Sequence, residues 1–137
     1  MAKELIRLSD LFMQFDGDTI LDHINLYIND QEFLTLLGPS GCGKTTTLRI
    51  IGGFQTPTSG DVFFDGQRIT DVPPHKRKIN TVFQKYALFT HMNIFDNVAF
   101  GLRIAKVPES EIKRRVEEAL SLVNLGGYGR RSVHSLS

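Results

Sequence analysis

The sequence predicts an α/β fold, and three features of its first half carry that prediction. Apolar and polar residues alternate over residues 6–8 and again over 24–28, which is typical of half-buried strands joined through a turn at Asp16-Gly17. Residues 33–37 form a short apolar run with the length and composition of a strand buried on both faces. A glycine-rich segment follows this run, and residues 44–51 favour a helix.

The remaining elements are predicted from turn residues and helical periodicity. Residues 61–69 indicate a hairpin that turns at Asp65-Gly66, and residues 79–83 indicate another strand. Beyond residue 84 the pattern becomes helical, with one candidate over 93–104 and a clearer one over 109–124. The clearer helix should place an ion pair between Glu111 and Arg115 on its polar side. Its apolar face is expected to comprise Ile112, Val116, Ala119, Leu120 and Val123.

Composition and charge limit the class of protein. The 137 residues suit one domain, and a hydrophobic fraction of 41% fits a soluble folded protein. The net charge of +1 gives no electrostatic argument for binding nucleic acid. No window approaches the roughly 18 apolar residues of a membrane span, and the N-terminus lacks the apolar core of a signal peptide. Cys42 is the only cysteine, which excludes an internal disulfide and favours a cytosolic setting.

The strongest functional signal is a complete match to the pattern G-x-x-x-x-G-K-[ST], the Walker A motif or P-loop. Glycines let successive backbone N–H groups converge on an anion, and the start of the following helix adds its positive dipole end. Lys44 supplies a mobile charge for the β- and γ-phosphates, and the hydroxyl of Thr45 can ligate Mg²⁺. The alternative is a chance match in a glycine-rich turn. The residues assigned to nucleotide binding here are Gly38, Ser40, Gly41, Cys42, Gly43, Lys44, Thr45 and Thr46.

Three neighbouring residues support this interpretation. Thr45, Thr46 and Thr47 place three β-branched residues at a helix start, which helix propensity alone disfavours. Hydroxyls near phosphate and metal would explain at least two of them. The side chain of Cys42 is interpreted as a small group that faces away from phosphate, and the basic run at residues 75–78 as solvated surface.

Several segments together resemble the ATPase subunits of ABC transporters. The resemblance covers residues 36–49 around the P-loop, residues 56–60, the Q-loop-like Val82-Phe83-Gln84, and Leu136-Ser137, where the family's L-S-G-G-Q signature would begin. It implies a P-loop NTPase of the ABC type in one partial nucleotide-binding domain. Residues 1–84 would form the N-terminal β-subdomain and an incomplete RecA-like core, and residues 85–137 the Q-loop and the start of the helical subdomain.

Further segments are similar to one branch of that family, the ATP-binding subunits that energise polyamine importers. These segments are residues 71–77, 80–89 and 97–102. Importers of sugars, iron and sulfate share much of the same pattern, so the transported substrate stays open among them at this point.

The resemblance also implies roles for individual residues. Phe15 would stack on adenine, with an ordinary core aromatic as the alternative. Lys44 and Gln84 would be catalytic, and Gln84 would join Thr45 in contacting Mg²⁺ or the attacking water. Residues 85–92 would face a membrane subunit. The aromatic residues of this region could equally form the core of the helical subdomain; they are Tyr86, Phe89 and Phe95.

As a family member, the full-length protein would bind ATP with Mg²⁺ and act as a translocase at the cytoplasmic face of the bacterial plasma membrane. Its partners would be a second ATP-binding subunit, membrane permease subunits and, indirectly, a substrate-binding protein. Because the motifs that complete the site are expected beyond Ser137, this polypeptide alone should hydrolyse little ATP and should tend to aggregate. The other hypotheses are an ABC-type ATPase that acts on nucleic acid, a P-loop kinase, and a non-catalytic nucleotide-binding fragment.

Overall fold

The computed structural model describes residues 2–85 and 87–136. The chain divides into two compact units, residues 1–81 and 82–137. Across the described residues, no helix combines the length and the apolar character that crossing a membrane requires.

The first unit is built on a four-stranded antiparallel sheet. Its strands are β1 (Glu4–Phe15), β2 (Asp18–Asn29), β3 (Ser59–Phe64) and β4 (Gln67–Arg68), in the order β2-β1-β3-β4. The turns at Asp16-Gly17 and Asp65-Gly66 connect the strands of two hairpins, so both hairpin predictions are confirmed. This arrangement follows from local signals, since each turn pair lies between alternating apolar stretches.

Helix α1 (Lys44–Gly52) packs its apolar side with the buried residues of the sheet, and the predicted helix is confirmed. A 3₁₀ turn over Pro74–Lys76 follows the second hairpin. The core of this unit is continuous from the strands to the helix. Its buried residues are Leu8, Leu11, Met13, Leu21, Ile50, Ile51, Val62 and Ile69.

Two predicted strands are wrong. Residues 33–37 and 79–83 do not form strands in the described part of the chain, and several of their apolar side chains are open to solvent, although Ile79 packs against the core. Phe33 is 95% exposed, Leu37 is 88% exposed and Val82 is 95% exposed. A buried strand requires hydrogen-bonded neighbours on its flanks and packing on its faces. Local composition indicates a tendency to be buried, but it cannot supply those neighbours.

The second unit is helical. Helix α2 (Ile94–Ile104) begins after Asn93, whose side chain accepts a hydrogen bond from the Asp96 N–H at 2.7 Å, and helix α3 is Glu109–Leu122. Both helix predictions are therefore confirmed. A 3₁₀ turn over Val133–Ser135 closes against them. The core comprises Ile94, Ala99, Ile112, Val116, Leu120 and Val133.

The details of α3 differ from the prediction. Ala119 and Val123 are exposed, because a single stripe at Ile112, Val116 and Leu120 is sufficient to cover this core. Glu111 pairs with Arg114 rather than with Arg115. Arg114 lies between two carboxylates and also reaches Glu118 at 2.7 Å, an arrangement that pair spacing alone does not reveal.

The aromatic residues Phe89 and Phe95 have different surroundings in the structure. Phe95 packs against the helical core, whereas the ring of Phe89 is partly exposed and lies 4.5 Å from the ring of Phe100. Tyr86 lies outside the described residues, as does Ser137 of the predicted signature start.

Candidate functional site

The candidate site is the loop that leads into α1. Gly41 and Gly43 have φ values of +80° and +90°, a backbone region that residues with a Cβ adopt only with strain. Gly43 is the residue immediately before the first turn of α1, so the unpaired N–H groups of that turn lie at the end of the loop. The sequence Gly-x-Gly-Lys therefore builds the turn that an anion-binding helix start requires.

The loop packs closely against strand β2 of the sheet. A Cβ on Gly43 would lie 2.7 Å from Leu21 Cδ2 and 3.0 Å from the carbonyl oxygen of Ile20. Both contacts belong to β2, so the loop approaches that strand as closely as backbone permits. Glycine is required at this position for its space as well as for its φ.

The ammonium of Lys44 is turned back into the loop. Its Nζ donates hydrogen bonds to the carbonyl oxygens of Gly38 and Pro39, the second at 2.7 Å, and lies 3.3 Å from Cys42 Sγ. The prediction that the Cys42 side chain faces away from phosphate concerns a ligand contact and stays a prediction. The thiol lies on the same side of the loop as the ammonium and is exposed.

The three threonines of α1 differ in their surroundings. Thr47 is buried, and its hydroxyl donates to the carbonyl oxygen of Gly43 at 2.9 Å, so it serves the helix rather than a ligand. Thr45 is exposed and Thr46 is half-buried. An open groove of about 450 Å³ passes Lys44 and Thr45 and is otherwise lined by residues 33–36 and Leu48.

The other predicted site residues lie in the loop, at the end of β1 and in the second unit. Ser40 is exposed within the loop. Phe15 ends β1, is 61% exposed and pairs with Asp18, so it lies at the same end of the hairpin as the part of β2 that contacts Gly43. Gln84 belongs to the second unit, where its side chain is exposed. Within the described ranges, no group of three or more His, Cys, Asp or Glu side chains could hold a metal ion.

Sequence reasoning missed the residue that holds the far end of α1. The basic run at residues 75–78 predicts solvated surface, but Arg77 within it is half-buried. Its guanidinium donates to the carbonyl oxygens of Ile50 and Ile51, both at 2.9 Å, in the last turn of the helix. Nothing in the run distinguishes Arg77 from the neighbouring Lys76, so no sequence signal could have found it.

Comparison with known proteins shows the family. A family model described as ABC transporter matches residues 21–137, and the chain belongs to that family as a partial ABC domain. The chain is 61% identical, over all its 137 residues, to the spermidine/putrescine import ATP-binding protein PotA of Clostridium novyi (strain NT). It is 59% identical over the same length to the PotA protein of Desulfitobacterium hafniense (strain Y51). It spans 40% and 39% of these two relatives, respectively.

A solved structure has the same fold. The chain superposes with a TM-score of 0.82 and 28% identity on the ATP-binding cassette MJ0796, determined as a dimer in a post-hydrolysis state bound to ADP and Pi. The likeness covers 97% of this chain and 63% of that one. The predicted fold class, an α/β ATPase domain of the ABC type, is therefore confirmed.

Proposed function

We propose that the full-length protein is the ATP-hydrolysing subunit that energises an ABC importer of polyamines such as spermidine and putrescine. One observation carries the nucleotide part of this proposal: a positive-φ glycine turn delivers the start of α1 and the Lys44 ammonium to one place. The polyamine part is supported by the printed names of relatives that are 53–61% identical to this chain. The alternative is an importer of sugars, iron or sulfate, and the substrate test below distinguishes it from a polyamine importer.

Phosphate would be bound by backbone and ammonium together. The N–H groups at the start of α1 lack partners within the helix and suit the oxygen atoms of a triphosphate. Lys44 Nζ now donates to two carbonyl oxygens, and it would exchange those partners for charged phosphate oxygens, which form stronger hydrogen bonds. Ser40, Gly41 and Cys42 would contribute through the same loop.

Mg²⁺ fits the oxygen donors that this chain offers. The exposed hydroxyl of Thr45 follows Lys44 directly, and the side-chain amide of Gln84 has a carbonyl oxygen of the kind that the ion prefers. When bound, the ion would neutralise charge on the phosphates. Phe15, with its ring largely in solvent at the end of β1, offers a flat apolar surface for the adenine base.

The second unit would connect the nucleotide to the membrane partner. Gln84 would report the nucleotide state, and residues 85–92 would face a permease subunit at the cytoplasmic side of the membrane. Exposed apolar side chains in this unit support a docking role; they are Leu88, Phe89, Val98, Phe100 and Ile104. The other partners would be a second copy of the subunit and, indirectly, a substrate-binding protein.

The phosphate site is tested by Lys44→Ala in the full-length subunit. We expect MgATP binding and hydrolysis to be lost, because the ammonium supplies a charge that the loop amides do not replace. Lys76→Ala is the matched control, since it removes the same group from an exposed position outside the loop. Unchanged MgATP affinity in Lys44→Ala would refute the proposed site.

The substrate is tested by uptake in cells that carry the intact transporter. Labelled spermidine should enter only when the wild-type subunit is present, and excess putrescine should compete. If deletion of the subunit left spermidine uptake unaffected and instead abolished uptake of a sugar, iron or sulfate, the assignment would move to another branch of the family.

A further inference from the structure

We propose that Arg77 is a positioning residue that sets the orientation of α1 and thereby the nucleotide affinity of the loop at the opposite end of that helix. This inference rests on the nucleotide site proposed above. It assigns a role to a side chain that does not itself belong to the phosphate loop.

The contacts of Arg77 form a clamp between the helix and the segment that follows the second hairpin. Nη1 donates to the carbonyl oxygens of Ile50 and Ile51, both at 2.9 Å. Nε donates to the carbonyl oxygen of Val72 at 2.7 Å, and Nη2 to that of Thr70 at 3.1 Å. One planar group thus joins four backbone acceptors on two segments.

The clamp is fitted to the end of the helix. A Cβ on Gly53, the residue that follows α1, would lie 2.6 Å from Arg77 Nε. The guanidinium therefore lies directly against the helix terminus, where the carbonyl oxygens carry the negative end of the helix dipole. A cation at this place is favoured twice, by its hydrogen bonds and by the dipole.

Charge alone does not explain the arrangement. Partial burial lowers the pKa of the Arg77 guanidinium, and Asp71 opposes that shift through its charge. The group is nevertheless always protonated, because the pKa of arginine is so high. What the site requires is a rigid fork whose donors point in fixed directions, and a lysine ammonium has no such fork.

Arg77 can affect the loop because it contacts the helix that begins where the loop ends. Helix α1 has nine residues, too few to bend freely, so a shift at its last turn is carried to its first turn. The N–H groups and Lys44 that would bind phosphate are at that first turn. Misplacement of reacting groups by about 1 Å can cost a factor of about 100 in rate, so a small tilt that moves Lys44 and the N–H groups is sufficient to be measured.

The test compares Arg77→Met and Arg77→Lys in the full-length subunit, with kcat and KM for ATP measured on each. The groups that contact the phosphates keep their chemistry but are displaced, so nucleotide binding is weakened. We therefore expect KM to rise about tenfold in Arg77→Met, with a smaller fall in kcat because Lys44 is displaced as well. Arg77→Lys should lie between Arg77→Met and wild type, since an ammonium can replace only part of the fork. Arg68→Met is the matched control: it removes an exposed guanidinium of the same unit and should leave KM unchanged.

A role in stability alone gives a different result. Partial unfolding lowers the amount of active enzyme, so apparent kcat falls and KM stays constant, as we expect for the core variant Val62→Ala. The same pattern in Arg77→Met and Arg77→Lys would overturn the inference while leaving the proposed function intact. Failure of the wild-type subunit to bind MgATP would overturn both. Should Arg77→Met not fold, an unchanged KM in Arg77→Lys would by itself refute the positioning role.

Discussion

The loop glycines allow a prediction in which backbone strain and steric clash are separated. Gly17, Gly41 and Gly43 all have φ between +80° and +90°, so alanine at each requires a left-handed conformation. The space around them differs. A Cβ at Gly17 or Gly41 meets nothing within 4 Å, whereas at Gly43 it would lie 2.7 Å from Leu21 Cδ2.

The magnitudes follow from these distances. A left-handed alanine costs about 1–2 kcal/mol, so Gly17→Ala and Gly41→Ala should each lower the free energy of unfolding by that amount. Gly43→Ala should lower the free energy of unfolding by about 1–3 kcal/mol more than these two, because β2 or the loop must move to relieve the clash. Chemical denaturation of the full-length subunit, with each variant compared to wild type, measures all three values.

Nucleotide affinity distinguishes the loop from the distant turn. Gly66→Ala should leave the MgATP dissociation constant unchanged, because Gly66 also has a positive φ (+76°) and open space for a Cβ but lies in the β3–β4 turn, at the end of β3 that pairs with Ile6 rather than near Phe15. Gly41→Ala and Gly43→Ala should each weaken it, and the loss of one hydrogen bond to a charged phosphate, about 1.5–3 kcal/mol, corresponds to roughly 10- to 100-fold. Isothermal titration checks this. Equal destabilisation of Gly41→Ala and Gly43→Ala would refute the steric argument, and unaltered affinity in both would refute the assignment of the loop.

Other predictions concern each unit separately. Asn97→Ala should increase hydrogen exchange at the Phe89 amide, because the Asn97 side chain accepts a hydrogen bond from that N–H at 2.8 Å. Ile112→Ala should lower the free energy of unfolding by about 2–5 kcal/mol in urea titrations, since this side chain is fully buried. The hydrogen bond from Arg68 holds the pKa of Asp61 below its ordinary value of 3.8, so the pair contributes stability above that pH and loses it as pH falls through the lower folded-state pKa. Asp61→Asn should flatten this acid limb of the melting temperature, and an unchanged acid limb would contradict the pairing.

The sequence was sufficient for the elements whose signals are local. The two hairpins follow from Asp-Gly pairs between alternating stretches, and α1 follows from a glycine-rich loop and a glycine end. The phosphate loop itself was predictable because its motif encodes backbone geometry, and the structure places glycines with positive φ at two of its positions, 41 and 43.

The failures share a non-local cause. Residues 33–37 have the composition of a buried strand, but burial depends on neighbouring strands that no local pattern specifies. Glu111 pairs with Arg114 because a second carboxylate, Glu118, lies on the other side of that guanidinium. The role of Arg77 could not be predicted for the same reason, since its hydrogen-bond acceptors lie up to 27 residues away in the chain.

The two ends of α1 show how the sheet determines the site. At the start of the helix, Gly43 lies against Ile20 and Leu21 of β2, and at its end Arg77 holds the last carbonyl groups. Neither contact would involve the nucleotide, yet both fix the segment that presents Lys44. Because Leu21 is a core residue of the sheet and its side chain lies directly against Gly43, a change of packing at this part of β2 should displace the loop. Nucleotide affinity should therefore depend on the packing of β2 beneath the loop, so destabilisation of the core at β2 should weaken binding, whereas equal destabilisation in β3 or near β4 should leave the affinity unchanged.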